Sequence, residues 1–395
     1  MKKFTSLLFV FVLVLGIVNP AIGTNEELDT FEMPSPEMDT YVEGQVIVQF
    51  EDVVAQEQVT QVLSQLDAKV LEDKSPVDSP FDVLEVKDVD VETAVEILED
   101  NPLVAYAEPN YMLQATWTPN DTYYNYQYGP QNTDTEWAWD YVRGSSNQEI
   151  AVLDTGVDYN HPDLDGKVIL GYDFANNDYD PMDRNGHGTH VAGTAAAETN
   201  NSRGVAGMAP NTKILAVQVL SDNGGGSLND VADGIRYAAD QGAEVINLSL
   251  GCDCHTTTLE NAVNYAWNAG SVVVAAAGND GVSTTFEPAS YDNVIAVAAV
   301  DQSDNKASFS NYGSWVDVAA PGVDIASTVP NNGYSYMSGT SMASPHVAGL
   351  AGLLASQGRN NVNIRQAIEQ TADSVGGEGY YWQHGRINSW NAINY

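Results

Sequence analysis

The chain has 395 residues, with 54 acidic against 15 basic side chains and a formal net charge of −39 at pH 7. That length supports a large buried core and more than one domain. The acid excess runs through residues 24–116 and 117–395 alike; it argues against nucleic acid or an anionic membrane as partner and agrees with multivalent cations or plain solubility.

The chain opens on Lys2 and Lys3, an apolar run from Leu7 to Val18, and Ala21-Ile22-Gly23. This pattern predicts a secretory signal peptide over residues 1–23, cleaved near Gly23–Thr24. The run is too short to span a bilayer comfortably. No other stretch reads as a membrane span, so a secreted, extracellular protein is expected. Residues 24–40 are polar, acidic and proline-bearing, and read as a flexible leader. Residues 41–115 read as a small compact unit. It has strands at 46–50, 81–86 and 103–107 and helices over 54–66 and 91–99, an α+β pattern of ferredoxin-like type.

After a break at 110–116, glycine, alanine and asparagine become frequent. Apolar strands are predicted at 149–153, 213–217, 245–249, 271–275 and 294–297. Helices are predicted over 187–197, 228–241, 258–269, 341–356 and 362–371. Strands of this kind alternating with helices predict an α/β fold, a parallel sheet covered on both faces. Ligand sites in such sheets lie at the carboxyl ends of strands.

Three blocks fall at such places, together with a serine. Gly339-Thr340-Ser341-Met342-Ala343-Ser344-Pro345-His346 puts Ser341 among small residues at the start of a buried helix, near the positive end of its dipole. Taken alone, Ser341 reads as a helix N-cap rather than a nucleophile. Asp154 follows the apolar strand 150–153, where a turn aspartate is the plain alternative. Asn185-Gly186-His187-Gly188-Thr189-His190 opens a glycine- and alanine-rich helix, with His187 facing a cleft and His190 packed inside. Ala275-Ala276-Ala277-Gly278-Asn279 ends a strand in a side-chain amide donor.

In the order Asp, His, Ser these blocks resemble the subtilisin (subtilase) family of serine endopeptidases over residues 117–395. The resemblance is nearest to its thermitase-like, calcium-binding, secreted members from Bacillus-type bacteria. It implies a subtilisin-like sheet preceded by an α+β propeptide. Ser341 would be the nucleophile, His187 the base, Asp154 the orienting acid, and Asn279 an oxyanion donor. It implies that polypeptide substrates insert between Ser249-Leu250-Gly251 and Gly224-Gly225-Gly226, with Leu228 lining an outer pocket and Gly278 beside the oxyanion site.

The resemblance also implies calcium. One strong site would take Asp163, Asp121, the Asn201 side chain and the carbonyls of Glu198, Arg203 and Val205. A second would use Asp173, Asn176, Asp178 and Asp180; there Met182 replaces an oxygen donor of the nearest relatives and Asp183 is the candidate substitute. A third, weaker site, for calcium or sodium, would use the carbonyls of Ala289, Tyr291 and Val294 with Asp317. Residues 24–116 become an inhibitory propeptide, cut by the enzyme itself near residues 115–117 to leave residues 117–395 as a monomer starting at about Trp117.

Cys252 and Cys254 stand where many relatives have glycine. They read as a local disulfide beside the pocket, with two free thiols as the plain alternative, since two thiols with His255 make a poor zinc signature. A catalytically silent subtilase fold serving as a binding module is the alternative. It ordinarily lacks a member of the triad, and none is missing here.

Overall fold

The computed structural model describes residues 41–51, 54–71, 79–112 and 117–395. The expected signal peptide and leader, and residues 113–116 of the expected processing segment, lie outside the described residues. The chain divides into two compact units, one within residues 27–115 and one carrying residues 116–395.

The first unit runs β1 (Tyr41–Phe50), α1 (Gln56–Gln65), β2 (Lys69–Val70), β3 (Asp82–Glu85), α2 (Val91–Glu99) and β4 (Val104–Tyr111). Its antiparallel sheet has the order β2-β3-β1-β4, the ferredoxin-like arrangement the sequence predicts. Val46 and Val48 alternate inward from β1 to meet Leu84, Val62 and Leu98. Asp90 caps α2 by accepting the Thr93 N–H at 2.8 Å. The two-residue β2 carries too few residues to show a period.

The second unit opens with two short helices, α3 (Gly129–Asn132) and α4 (Thr135–Trp139). It continues through β5 (Glu149–Asp154), β6 (Val168–Asp173), α5 (His187–Ala196), β7 (Lys213–Gln218), α6 (Leu228–Gln241), β8 (Val245–Leu248), α7 (Thr257–Ala269), β9 (Val272–Ala276) and β10 (Ile295–Val300). It ends with β11 (Val318–Pro321), β12 (Ile325–Val329), β13 (Gly333–Met337), α8 (Thr340–Ser356), α9 (Asn361–Gln370), β14 (Gly385–Arg386) and α10 (Ser389–Asn394). Eight strands form a sheet of order β14-β11-β10-β9-β8-β5-β7-β6, with every pairing parallel.

Alternate residues of each strand enter different cores. Ile150, Val152, Val272 and Val274 face the layer of α5, α8 and α9, while Ala151, Leu153, Val273 and Ala275 face α6 and α7. This two-sided burial is why the strands read as unbroken apolar runs. The chain leaves β5 toward β7 and β6 on one side and then crosses to β8 on the other, so the strand order reverses at β5. The carboxyl ends of β5, β8 and β9 meet at that reversal.

Five strands of this unit escape the sequence pattern. In β6, an edge strand, Leu170 is exposed and Gly171 interrupts the run. β11 is a four-residue segment ending in proline, β14 has two residues, and β12–β13 is a separate hairpin.

The small residues of α5 and α8 serve close packing. A Cβ at Gly349 would lie 2.9 Å from the Ala195 carbonyl and 2.3 Å from the Met208 Cβ, so only glycine lets the two helices approach this far. Gly349→Val is therefore expected to destabilise the second unit by about 1–3 kcal/mol or more through overpacking. Urea unfolding of the variant against the parent checks it, and an unchanged midpoint would refute it.

Candidate active site

Asp154 is the last residue of β5 and is fully buried. Its Oδ1 accepts from His187 Nδ1 at 2.8 Å and from the Thr155 N–H at 2.7 Å. With Nδ1 facing a carboxylate, the neutral imidazole carries its proton there and leaves Nε2 as the basic lone pair. His187 is the first residue of α5. It follows Gly186 at φ 109°, a left-handed turn that suits glycine. Gly188 is required next: a Cβ there would lie 2.1 Å from the Gly156 carbonyl and 3.0 Å from the Asp154 Cβ. The glycine of the His-Gly-Thr-His block is thus dictated by how closely α5 must approach the end of β5.

Asp183 is a residue whose role sequence reasoning missed. It is buried, and both its oxygens are saturated. Oδ1 accepts from Thr155 Oγ1, the Asn185 N–H and the Gly186 N–H, each at 2.9 Å. Oδ2 accepts from the Thr189 N–H at 2.9 Å and Thr189 Oγ1 at 2.6 Å. It is the anion at the N-terminus of α5. Thr155 Oγ1 in turn accepts the Gly188 N–H at 3.0 Å, tying the turn after Asp154 to the helix that carries His187. Burial opposes a charged His187. The charge and hydrogen bond of Asp154, with Asp183 behind, outweigh it and hold the imidazole pKa above its ordinary value. His190 is buried as expected. Its Nε2 meets the Ile325 carbonyl at 2.9 Å, and burial pushes its pKa down to about 3.

Asn279 follows β9, and Thr340 fixes its orientation. The Thr340 N–H donates to Asn279 Oδ1 at 2.8 Å, and Thr340 Oγ1 adds a second bond at 3.0 Å. A backbone N–H can only donate, so the atom facing it must be the amide oxygen, and the NH2 group points away. A Cβ placed on Gly339 would lie 3.6 Å from Asn279 Nδ2 and 3.7 Å from the Ser341 nitrogen. The two donors therefore flank one common space that glycine leaves empty.

Ser341 is the second residue of α8; Gly339 holds the N-cap position, and no side chain caps the helix. The N-cap reading of Ser341 is corrected on this point. Its hydroxyl donates to the Ser249 carbonyl at 3.1 Å. Among the described residues it makes no hydrogen bond to His187.

Gly225, Gly226, Leu228, Gly251, Cys252 and Cys254 line a cleft of about 1320 Å³ whose far wall includes Phe286. Gly251 lies against that wall, where a Cβ would come 2.3 Å from the Phe286 ring. Gly224 turns the opposite loop at φ 83°, and Gly278, at φ 98°, packs against Asn311. Ser249 and Leu250 are buried beneath the cleft, so their side chains do not line it. Cys252 and Cys254 are bonded to each other, and Cys252 pairs through its backbone with Glu287 at 2.8 and 2.9 Å.

Among the described residues no three carboxylate, imidazole or thiol side chains converge as a metal-holding group. Any cation site must therefore draw on carbonyls and amides. Among the described residues Asp163 and Asp121 are buried without an ion pair and accept from amide N–H groups. Asp163 accepts from Asn201 Nδ2 and the Val205 N–H, both at 2.8 Å, and Asp121 accepts the Asn200 N–H at 2.7 Å. Asn201 Nδ2 also points at the Glu198 carbonyl, and the Arg203 N–H bonds Asn201 Oδ1. Burial raises both carboxyls, Asp163 to about 6 with a contribution from the neighbouring Asp121 charge. The Asp163 carboxylate and the Glu198 carbonyl converge on Asn201, with Asp121 close by, and carboxylate and carbonyl oxygens suit a hard cation; here the NH2 group of Asn201 fills the space between them.

The other two loops differ. Asp173 binds the amide groups of Asn176, and Asp178 accepts the Asp180 N–H. Asp180 takes the Tyr159 hydroxyl and pairs with Arg184. Asp183 stands apart in the α5 terminus, so it does not fill the gap left by Met182. In the third loop the Tyr291 carbonyl accepts the Val294 N–H, while Asp317 pairs with Arg365 Nη2 at 3.2 Å. Arg365 also donates to the Asp292 carbonyl, so a guanidinium already compensates this carboxylate.

Residues 145–385 match the model of the subtilase family, and residues 29–110 match that of the fervidolysin N-terminal prodomain. The chain is 70% identical over 362 residues to a thermophilic serine proteinase of Bacillus sp. (strain AK1), covering 91% of this chain and 90% of that protein. It is 60% identical over 280 residues to thermitase of Thermoactinomyces vulgaris, covering 71% of this chain and all of that protein. Among solved structures, a protease from Pseudoalteromonas arctica superposes with a TM-score of 0.63 at 35% identity, over 70% of this chain and 99% of that one. The chain belongs to the subtilase family, as a thermitase-like serine protease preceded by an N-terminal prodomain.

Proposed function

We propose that the protein is an endopeptidase, secreted as a proenzyme and stabilised by calcium, in which Asp154, His187 and Ser341 act as one catalytic unit. The observation that carries this reading is the buried 2.8 Å bond from His187 to Asp154 at the sheet's carboxyl edge, beside the paired donors of Asn279 and Ser341. An extended polypeptide enters between the Gly224–Gly226 loop and the Ser249–Gly251 segment and pairs with both. Substrate binding turns the Ser341 hydroxyl from the Ser249 carbonyl to His187 Nε2. His187 takes the proton as the oxygen attacks the scissile carbonyl, and Asp154 stabilises the imidazolium. Asn279 Nδ2 and the Ser341 N–H receive the developing oxyanion. The proton then passes to the leaving amine, and water releases the acyl group by the same steps in reverse.

Ser341→Ala is expected to abolish proteolysis and to leave the precursor uncut, whereas the parent should show a mature N-terminus near Trp117 by N-terminal sequencing. Self-processing by purified Ser341→Ala precursor would refute the assignment. Asn279→Ala should lower kcat by about 10²–10³-fold with a much smaller change in KM. Steady-state kinetics on one peptide substrate checks this.

Asp163, Asp121, Asn201 and the carbonyls of Glu198, Arg203 and Val205 would hold one calcium ion, which supplies positive charge to two buried acids. The sign of its pH dependence follows from Asp163. Its folded pKa of about 6 lies above the ordinary 3.8, so ionisation costs stability as pH rises through that range. A bound cation needs the ionised form and removes that cost. Saturating calcium should therefore raise the unfolding midpoint by about 5–10 °C above pH 6, shrinking as pH falls to 5 and below. A calcium effect of equal size at pH 5 and pH 8 would count against this site.

The Cys252–Cys254 bond stiffens the cleft wall that carries Gly251. Dithiol treatment with calcium present is expected to lower peptidase activity and shorten the half-life at high temperature. Equal rates and half-lives with and without reductant would sink this role.

A further inference from the structure

The fifth residue after the start of α8 is Pro345, fully inside the helix. Proline has no N–H, so the Ser341 carbonyl, four residues earlier, loses its helical partner, and the proline ring crowds that carbonyl outward. A buried carbonyl without a partner is costly. Here the missing donor comes from another element. Ser249 Oγ, just past β8, donates to the Ser341 carbonyl at 2.7 Å.

Ser249 does not stand alone. Asn247 Nδ2 donates to Ser249 Oγ at 3.0 Å, and Ser344 Oγ donates to Asn247 Oδ1 at 2.7 Å. Asn247, Ser249 and Ser344 are all fully buried. The chain of bonds has one direction, because its last member is a carbonyl that can only accept. Ser249 must give its proton to Ser341, so it must accept from the Asn247 NH2 group, and the Asn247 oxygen must then face Ser344. No apolar core needs this arrangement, and three buried polar side chains are expensive unless fully paired. Their common end point is the backbone of Ser341.

We propose that Ser249 is a positioning residue for Ser341, its hydroxyl replacing the backbone N–H that Pro345 cannot supply, with Asn247 and Ser344 holding it in that role. The proposal rests on Ser341 being the nucleophile. The Ser341 Cα is then fixed on both sides from neighbouring strands: through the Thr340 N–H to Asn279 after β9, and through its own carbonyl to Ser249 after β8. The segment that holds the carbonyl continues into Gly251 at the cleft, so the nucleophile is registered to the substrate-binding wall rather than to its own helix.

The test is a double-mutant cycle. Ser249→Ala should lower kcat about 10- to 100-fold, with KM and the pH profile of kcat/KM little changed, because His187 and Asp154 are untouched. Pro345→Ala restores an N–H four residues after Ser341. In that background the loss from Ser249→Ala should shrink by tenfold or more. A merely structural serine would not be rescued by a backbone donor placed in another element. Equal losses from Ser249→Ala in both backgrounds would overturn the proposal. Should Ser249→Ala not accumulate, Ser344→Ala, one bond further back, enters the same cycle and is judged by the same comparison. Ser341→Ala is run alongside: if it keeps activity, the proposed function fails and this inference with it. If it is inactive and the cycle shows no coupling, only this inference fails.

Discussion

A carboxylate buried at the end of a strand is the constraint around which the second unit is arranged. Asp154 has no exposed surface, and only its Oδ1 is hydrogen-bonded among the described residues. Removing an ionised carboxylate from water costs several kcal/mol unless donors replace the water. His187 is the donor that can also carry a charge, so the stability of Asp154 and the basicity of His187 are one property. The carboxylate keeps the imidazole oriented, and the imidazole keeps the carboxylate tolerable. Everything that sets the distance between the end of β5 and the start of α5 acts on both.

That distance is set by absent side chains. Gly188 lets the helix reach the Asp154–Gly156 turn, Gly186 supplies the turn into it, and Gly349 lets α8 settle against α5. Asp183 completes the joint from the polar side. Its five hydrogen bonds collect the free N–H groups at the start of α5 and the Thr155 hydroxyl from the turn after Asp154. A helix terminus that would otherwise need water is satisfied by a buried anion, and the same anion reinforces the positive charge that His187 takes up. Structural capping and electrostatic tuning are here two effects of one carboxylate.

What the sequence made legible follows from what periodicity records. Central strands such as 149–154 and 272–276 are buried on both faces and carry apolar residues at nearly every position, so they are visible as runs. α6 was visible because Val231, Ile235 and Ala238 return at helical spacing, with Ser227 before them and Gly242 after them. Edge strand β6 and the short β11 and β14 were not, since their residues answer to local exposure and to neighbours distant in sequence. The same division holds in the site. Asp154, His187, Asn279 and Ser341 stand in long blocks with neighbours that mark them. Asp183 stands in an acidic loop where every aspartate resembles a cation ligand, and only its partners reveal that it is spent on α5. Asn247 sits in a strand of apolar appearance and Ser249 just past its end, where a polar side chain carries no sign of what it bonds. Hydrogen-bond partners separated by 90 or so residues leave no period to read.

Ser341 shows why such partners matter. A serine in the interior of an ordinary helix would have its carbonyl bound four residues ahead and its backbone set by helical geometry alone. Here the first turn of α8 is organised from outside. Extended Gly339 leaves the space beside the Ser341 N–H empty, Thr340 is bound to Asn279, and Pro345 removes the helical bond to the Ser341 carbonyl. The helix contributes its dipole and its buried body, while the ends of β8 and β9 decide where the serine stands. Because β8 and β9 are neighbours in one sheet with β5 next to them, His187, Asp154, Asn279 and Ser341 all take their positions from adjacent strand ends. The helices that carry His187 and Ser341 are thus tied to the sheet by hydrogen bonds, His187 to Asp154 at the end of β5, Thr340 to Asn279 after β9 and Ser341 to Ser249 after β8.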